Sequence, residues 1–305
     1  MNFPRSGNII NRTEAKEEKT VVIDFHTHAF PDKIAEKTIA ILADRSGTAA
    51  STDGTVDGLI GSMKDAGVDI SVVLPVVTKP SQFESINAFA ERINSLPGII
   101  SFGGIHPDCE DSEKKIDALA DAGFRGIKLH PDYQSVFIDD ERYIRIIKRA
   151  VERGMIVSIH AGLDAGLPEP IHCPPEKSAR MLDLVYSGTD CRDALIVLAH
   201  SGGCMMTEDV KKYLAGRNVW FDLAYTVGEY SAEETCEVIR AHGADRILFA
   251  TDLPWNSQKA DIEKLRSLDI SEADKEKILW KNASRLLGLS RGELDAKSLF
   301  SPSLS

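Results

Sequence analysis

Eight histidines are spread through the chain, and most stand where a short apolar run stops. His26 and His28 close the run Val21-Val22-Ile23-Asp24-Phe25. His106 follows Ile99 to Ile105, His130 follows Phe124 to Leu129, His160 follows Met155 to Ile159, and His200 follows Ala194 to Ala199. A carboxylate, Asp252, follows the run that ends at Ala250. His172 lies in the Gly- and Pro-rich stretch from Ala161 to Pro175, and His242 stands apart near a helix C-terminus. Imidazole and carboxylate together make a borderline-to-hard ligand set, suited to Zn²⁺ above all and also to Mn²⁺, Fe²⁺ or Co²⁺. The candidate ligands are His26, His28, His160, His200 and Asp252.

Such a set works only if distant strand ends meet. The body of the chain alternates short Val/Ile/Leu-rich runs with longer amphipathic stretches, in eight β-α units. Continuous apolar strands between amphipathic helices predict a parallel sheet buried on both faces. Eight units in under 300 residues fit a closed (β/α)₈ TIM barrel, an α/β fold, as a single domain. Ala66-Gly67, Ala122-Gly123, Arg153-Gly154 and His242-Gly243 read as helix ends before the next strand. An open doubly wound sheet would carry a Gly-rich phosphate loop after its first strand, where this chain has Asp24-Phe25-His26-Thr27-His28. In a barrel all C-terminal strand ends share one face. Alternation along a strand places Asp24, His26 and His28 on one face, and likewise Gly126, Lys128 and His130. Counting back from the strand ends points Ser158, Ile156, Leu198, Ala250 and Leu248 into the barrel. Residues 1–19 read as a flexible leader, 20–291 as the barrel and 292–305 as a tail.

The ordered set His26-Thr27-His28, His160, His200 and Asp252 resembles the amidohydrolase superfamily. The runs Gly126-Ile127-Lys128-Leu129-His130-Pro131, Leu198-Ala199-His200-Ser201-Gly202-Gly203 and Thr251-Asp252-Leu253-Pro254-Trp255 are similar to its amidohydrolase-related branch, as is Asn282-Ala283-Ser284-Arg285-Leu286-Leu287. The resemblance runs from about Val21 to Leu289. It implies a hydrolase with one or two divalent ions, cleaving an amide, lactone or related C–N or C–O bond of a small molecule. Asp252 would ligate the metal and move the water's proton. His200 would ligate a second ion or hold the water. Lys128 would be a carboxylated bridge between two ions, or would pair with a substrate carboxylate or a nearby acid; a lysine directed into a barrel needs a partner. His106, His130, His172 and Trp255 are candidate substrate contacts, and the loop 161–175 a cap over the site. The same branch contains non-oxidative decarboxylases of aromatic or unsaturated acids, the alternative reaction. A catalytically inactive barrel used as a binding protein is the alternative of another class, disfavoured by the intact ligand set.

Bulk properties narrow the partners. A net charge of −11 argues against nucleic acid and against a polybasic membrane surface. No apolar run reaches the length of a membrane span, and the N-terminus lacks an apolar signal core. Five scattered cysteines (Cys109, Cys173, Cys191, Cys204, Cys236) read as reduced thiols in a cytoplasmic protein. Homo-oligomerisation is left open.

Overall fold

The computed structural model describes residues 21–167, 169–187 and 194–301. Its strands are β1 (Ile23–Thr27), β2 (Ile70–Val73), β3 (Ile99–Ser101), β4 (Gly103–Gly104), β5 (Gly126–Leu129), β6 (Ile156–Ile159), β7 (Ile196–Leu198), β8 (Trp220–Asp222) and β9 (Ile247–Leu248). They pair in chain order as two parallel arcs, β1 to β3 and β4 to β9. The run Ile99 to Ile105 is thus one barrel strand interrupted at Phe102, whose N–H donates to the Val73 carbonyl at 3.0 Å. The last strand closes on the first. Phe25 N–H donates to Phe249 O at 2.9 Å, Asp252 N–H to His26 O at 2.9 Å and His28 N–H to Leu253 O at 2.7 Å. The product is a closed eight-unit α/β barrel, as the periodicity requires.

Two apolar layers hold it. Alternate strand residues, among them Ile23, Phe25, Ile70, Val72, Ile156, Val197, Leu248 and Ala250, fill the barrel interior. A larger layer, including Val73, Ile127, Val157, Leu198 and Phe249, packs the strands against the helices. Two expectations are corrected here. Val197, not Leu198, lies in the inner layer. The backbone enters the left-handed region at His200 (φ 58°) and Ser201 (φ 60°), so counting back by twos across that turn slips by one residue. Asp24 does not share a face with His26 and His28. A register irregularity lies between Asp24 and Thr27, and Asp24 instead meets Gln258, on the helix Gln258–Ser267. A β-bulge switches the side that follows it, so Ile23 and Phe25 fill the core while His26 and His28 reach the barrel mouth.

The helices after the strands fall where the periodicity puts them, for example Val56–Ala66, Glu141–Glu152 and Ala232–His242. Gly67 ends the first of these at φ 74°, its N–H bonded to Met63 O. An additional helix, Asp32–Ser46, lies between β1 and Val56–Ala66, where apolar periodicity alone does not predict one. Beyond residue 291, where the sequence suggests a tail, Arg291–Lys297 is helical and Leu294 is buried. The proposed leader, 1–19, lies outside the described residues.

Candidate metal centre

The bulge in β1 and the seam with the last strand bring three groups together. His26 Nε2 lies 3.2 Å from His28 Nε2. Asp252 Oδ1 lies 3.3 Å from the first and 3.1 Å from the second. The partners behind each ring fix the tautomers. His28 Nδ1–H donates to the Leu74 carbonyl at 3.0 Å. His26 Nδ1–H donates to the Asp222 carboxylate at 3.0 Å. Both Nε2 atoms therefore carry lone pairs, and they face a carboxylate oxygen. Three acceptors at this spacing repel one another unless a cation sits among them. Ligands at about 2.0–2.2 Å from a divalent ion stand about 3.0–3.5 Å apart in octahedral or tetrahedral geometry, which matches the triangle. Burial and the neighbouring Lys128 hold His26 well below its ordinary pKa, keeping it the neutral ligand such a site requires.

Supporting contacts lock the triangle. Asp252 has a left-handed backbone, φ 66°. Asp24 accepts from the His26 and Thr251 N–H groups, from Thr251 Oγ1–H at 2.6 Å and from Gln258 Nε2–H at 2.8 Å. This buried carboxylate ties the ligand-bearing end of β1 to the segment that ends in Asp252. Asp222, at the end of β8, receives His26 on one oxygen and the His200 and Ala224 N–H groups on the other. Sequence reasoning missed Asp222; its signal was a carboxylate inside the apolar run Val219 to Leu223. Lys128 is 1% exposed, with Nζ 3.2 Å from His26 Nε2. Burial pulls its pKa down to about 8, against the pull of Asp222 and Asp252. Among the described residues no carboxylate lies within ion-pairing distance of it.

The remaining candidates divide. His200 Nδ1–H donates to Ala224 O at 3.0 Å, so its Nε2 accepts from His160 Nδ1–H at 2.9 Å. The His200 ring stands 5.2 Å from that of His26. His160 does not join the triangle. It stacks on His130 at 4.1 Å, and its Nε2 faces Asp132 Oδ2 at 3.8 Å. His172 Nδ1–H donates to Asp132 Oδ1 at 3.1 Å. Asp132 and Asp164, both unremarked in the sequence, complete this second cluster. His106 turns to its own loop, its Nδ1 accepting from Asp108 N–H at 3.1 Å. Trp255 is half-buried, and its N–H donates to Asp252 O at 2.9 Å.

Residues 23–289 match the family model described as Amidohydrolase. The chain belongs to the amidohydrolase family. A gamma-resorcylate decarboxylase of Polaromonas sp. (strain JS666 / ATCC BAA-500) is 39% identical over 66 residues, which is 22% of this chain and 20% of that protein. Among solved structures, the family fold is shared with 5-carboxyvanillate decarboxylase from Sphingomonas paucimobilis, at TM-score 0.65, 15% identity, and coverage of 89% of this chain and 100% of that one. It is also shared with a dihydroxybenzoic acid decarboxylase from Polaromonas sp. JS666 holding manganese and 2-nitroresorcinol, at TM-score 0.64, 17% identity, and coverage of 90% and 99%. These findings overturn the expectation of hydrolysis, because the curated relative and both of these structural neighbours are decarboxylases. Nor do they back zinc, since the ion named in that neighbour is manganese. The described cysteines, Cys109, Cys173, Cys204 and Cys236, are free and buried. No helix among the described residues is long and apolar enough to cross a membrane.

Proposed function

We propose that this amidohydrolase-family chain is a metal-dependent, non-oxidative decarboxylase of a small aromatic acid of the hydroxybenzoate type. The observation that carries the choice of reaction is that a sequence relative and the two structural neighbours described above are named as decarboxylases of aromatic acids. The lone-pair triangle supports the metal dependence.

His26, His28 and Asp252 would hold one divalent ion, with manganese the first to test. Bound there, it would supply positive charge for the acid's oxygens and for charge developing on the ring. Everything else falls to the side chains. Asp222 and the Leu74 carbonyl keep both imidazoles in the ligating tautomer. Lys128 adds a cation beside the triangle that, among the described residues, has no carboxylate within ion-pairing distance, a place for a substrate carboxylate. The reaction replaces a C–CO₂⁻ bond with C–H, so one proton must reach the ring carbon as CO₂ leaves. Asp252, at the metal edge, is the residue we assign to deliver it, regaining a proton from solvent after each turnover.

The test is a panel of hydroxybenzoates with Mn²⁺, followed by CO₂ evolution and loss of the substrate's ultraviolet band. Metal-dependent CO₂ release supports the reading. Proton release from amides or lactones without CO₂, or turnover that survives chelation, refutes it.

A further inference from the structure

Gln258 is fully buried at the first position of the helix Gln258–Ser267. Both polar atoms of its amide are engaged. Nε2–H donates to Asp24 Oδ2 at 2.8 Å and to Ser71 Oγ at 3.1 Å, and Oε1 accepts from Ser62 Oγ–H at 2.8 Å. Asp24 is equally buried and, among the described residues, has no cationic partner. Hydrogen bonds alone offset its charge. Oδ2 also accepts from Thr251 Oγ1–H at 2.6 Å, while Oδ1 accepts from Thr251 N–H at 3.0 Å and His26 N–H at 3.3 Å. Thr251 Oγ1 accepts in turn from Leu253 N–H at 3.2 Å. Asp252 is thus held on both sides. It stands at φ 66°, a backbone that a residue other than glycine keeps only where its surroundings impose it.

A buried carboxylate stripped of one donor is undercompensated and turns towards those that remain. For Asp24 such a turn is transmitted twice, to His26 through its N–H and to Asp252 through Thr251. We propose that Gln258 is a positioning residue for the metal centre. It fixes the Asp24 carboxylate, and through it the spacing of His26 and Asp252 across the seam. The inference rests on the triangle as the ion site and not on which reaction the ion serves. A glutamine that only fastened its helix to the barrel would alter stability and leave the affinity of the folded protein for an ion untouched.

The experiment reverses the hydrogen bond. Gln258→Glu sets an acceptor against Asp24 Oδ2, and Asp24→Asn sets an amide nitrogen against the Gln258 nitrogen. Each alone should weaken Mn²⁺ binding about tenfold, the lower end of what losing an orienting partner costs a metal site. In Asp24→Asn/Gln258→Glu the donor and acceptor have exchanged places. The new asparagine keeps its oxygen for the Thr251 and His26 N–H groups, and its NH₂ meets Thr251 Oγ1 and the new carboxylate. Ser62 and Ser71 donate to that carboxylate, and the pair carries one negative charge as before. The double variant should therefore recover to within about threefold of the parent, a coupling that independent sites do not show. Affinity is read by competition with a chromogenic chelator on the full chain, and melting curves follow the fold. Gln258→Met removes the donor without adding charge and should weaken binding as Gln258→Glu does, so the idea is testable even where the charged variants fold poorly. Leu294→Ala truncates a buried side chain outside this network; it should melt lower and keep the parental affinity. Parental affinity in folded Gln258→Met and Gln258→Glu, or no recovery in the folded double variant, overturns the inference and spares the triangle. Affinity losses that simply track melting temperature, Leu294→Ala included, overturn it as well. A parent that binds no Mn²⁺ overturns the triangle itself, and the inference with it.

Discussion

Replacing Asp222 with asparagine keeps the volume of the side chain and removes its charge. The structure dictates how the new amide must turn. One carboxylate oxygen of Asp222 accepts from two backbone donors, His200 N–H at 3.0 Å and Ala224 N–H at 3.1 Å. The asparagine oxygen has to stay there, because an NH₂ would confront two N–H groups. Its NH₂ then faces His26 Nδ1, which now has to accept. The proton moves to His26 Nε2, and the triangle loses one of its three lone pairs. Loss of such an orienting partner typically weakens metal affinity or activity about 10–100-fold, or about 1.4–2.7 kcal/mol. A second effect is separable: Asp222 raises the pKa of Lys128, so the lysine should titrate at lower pH in the variant. Competition titration with a chromogenic chelator gives the affinity, and melting curves show whether the fold persists. Unchanged metal affinity in a folded Asp222→Asn protein would refute the tautomer argument.

Other outcomes follow from the same geometry. Asp252→Asn should lose turnover while keeping the folded barrel; near-parental CO₂ release would remove Asp252 from the mechanism. A chelator should stop turnover, and Mn²⁺ should restore it in a steady-state assay. Gly126→Ala should cost about 1–3 kcal/mol by overpacking, since a Cβ there would stand 2.5 Å from Ile156 O and 2.5 Å from the Phe102 ring; denaturant melts read this directly. His242 is pushed down to about 4 by burial, with Nε2–H on Val219 O and Nδ1 accepting from Gly216 N–H. Its folded pKa lies below its unfolded one, so the unfolded chain binds the extra proton. Stability should therefore fall as pH drops from about 6.5 towards 4, and in His242→Gln the pH slope of unfolding should flatten in that window.

The strand runs were legible because a barrel strand is buried on both faces, and nothing else in the chain has that composition. The histidines at strand ends were legible because an imidazole after an apolar run breaks the pattern. Geometry beyond alternation was not. The bulge at Asp24 and the left-handed turn at His200 each shift the count by one residue, and in both the shift begins at a residue other than glycine. Grouping was also hidden: His160 meets Asp132 and Asp164 through a loop whose path no periodicity records. Asp222 was visible as a buried carboxylate in an apolar run, but its role became clear only once His26 Nδ1 was seen to reach it.

The seam between the first and last strands carries a single bridged pair, Thr27 with Leu253, the flanking backbone N–H bonds of Phe25, His28 and Asp252, and the bonds of Thr251 to the Asp24 carboxylate. His26 and His28 stand on one side of that seam and Asp252 on the other. An ion held by all three would be a rivet through the joint. Occupancy and barrel closure would then be one equilibrium, and stripping the ion should first be felt as faster hydrogen exchange at the amides of Phe25, His28 and Asp252, before any loss of global structure.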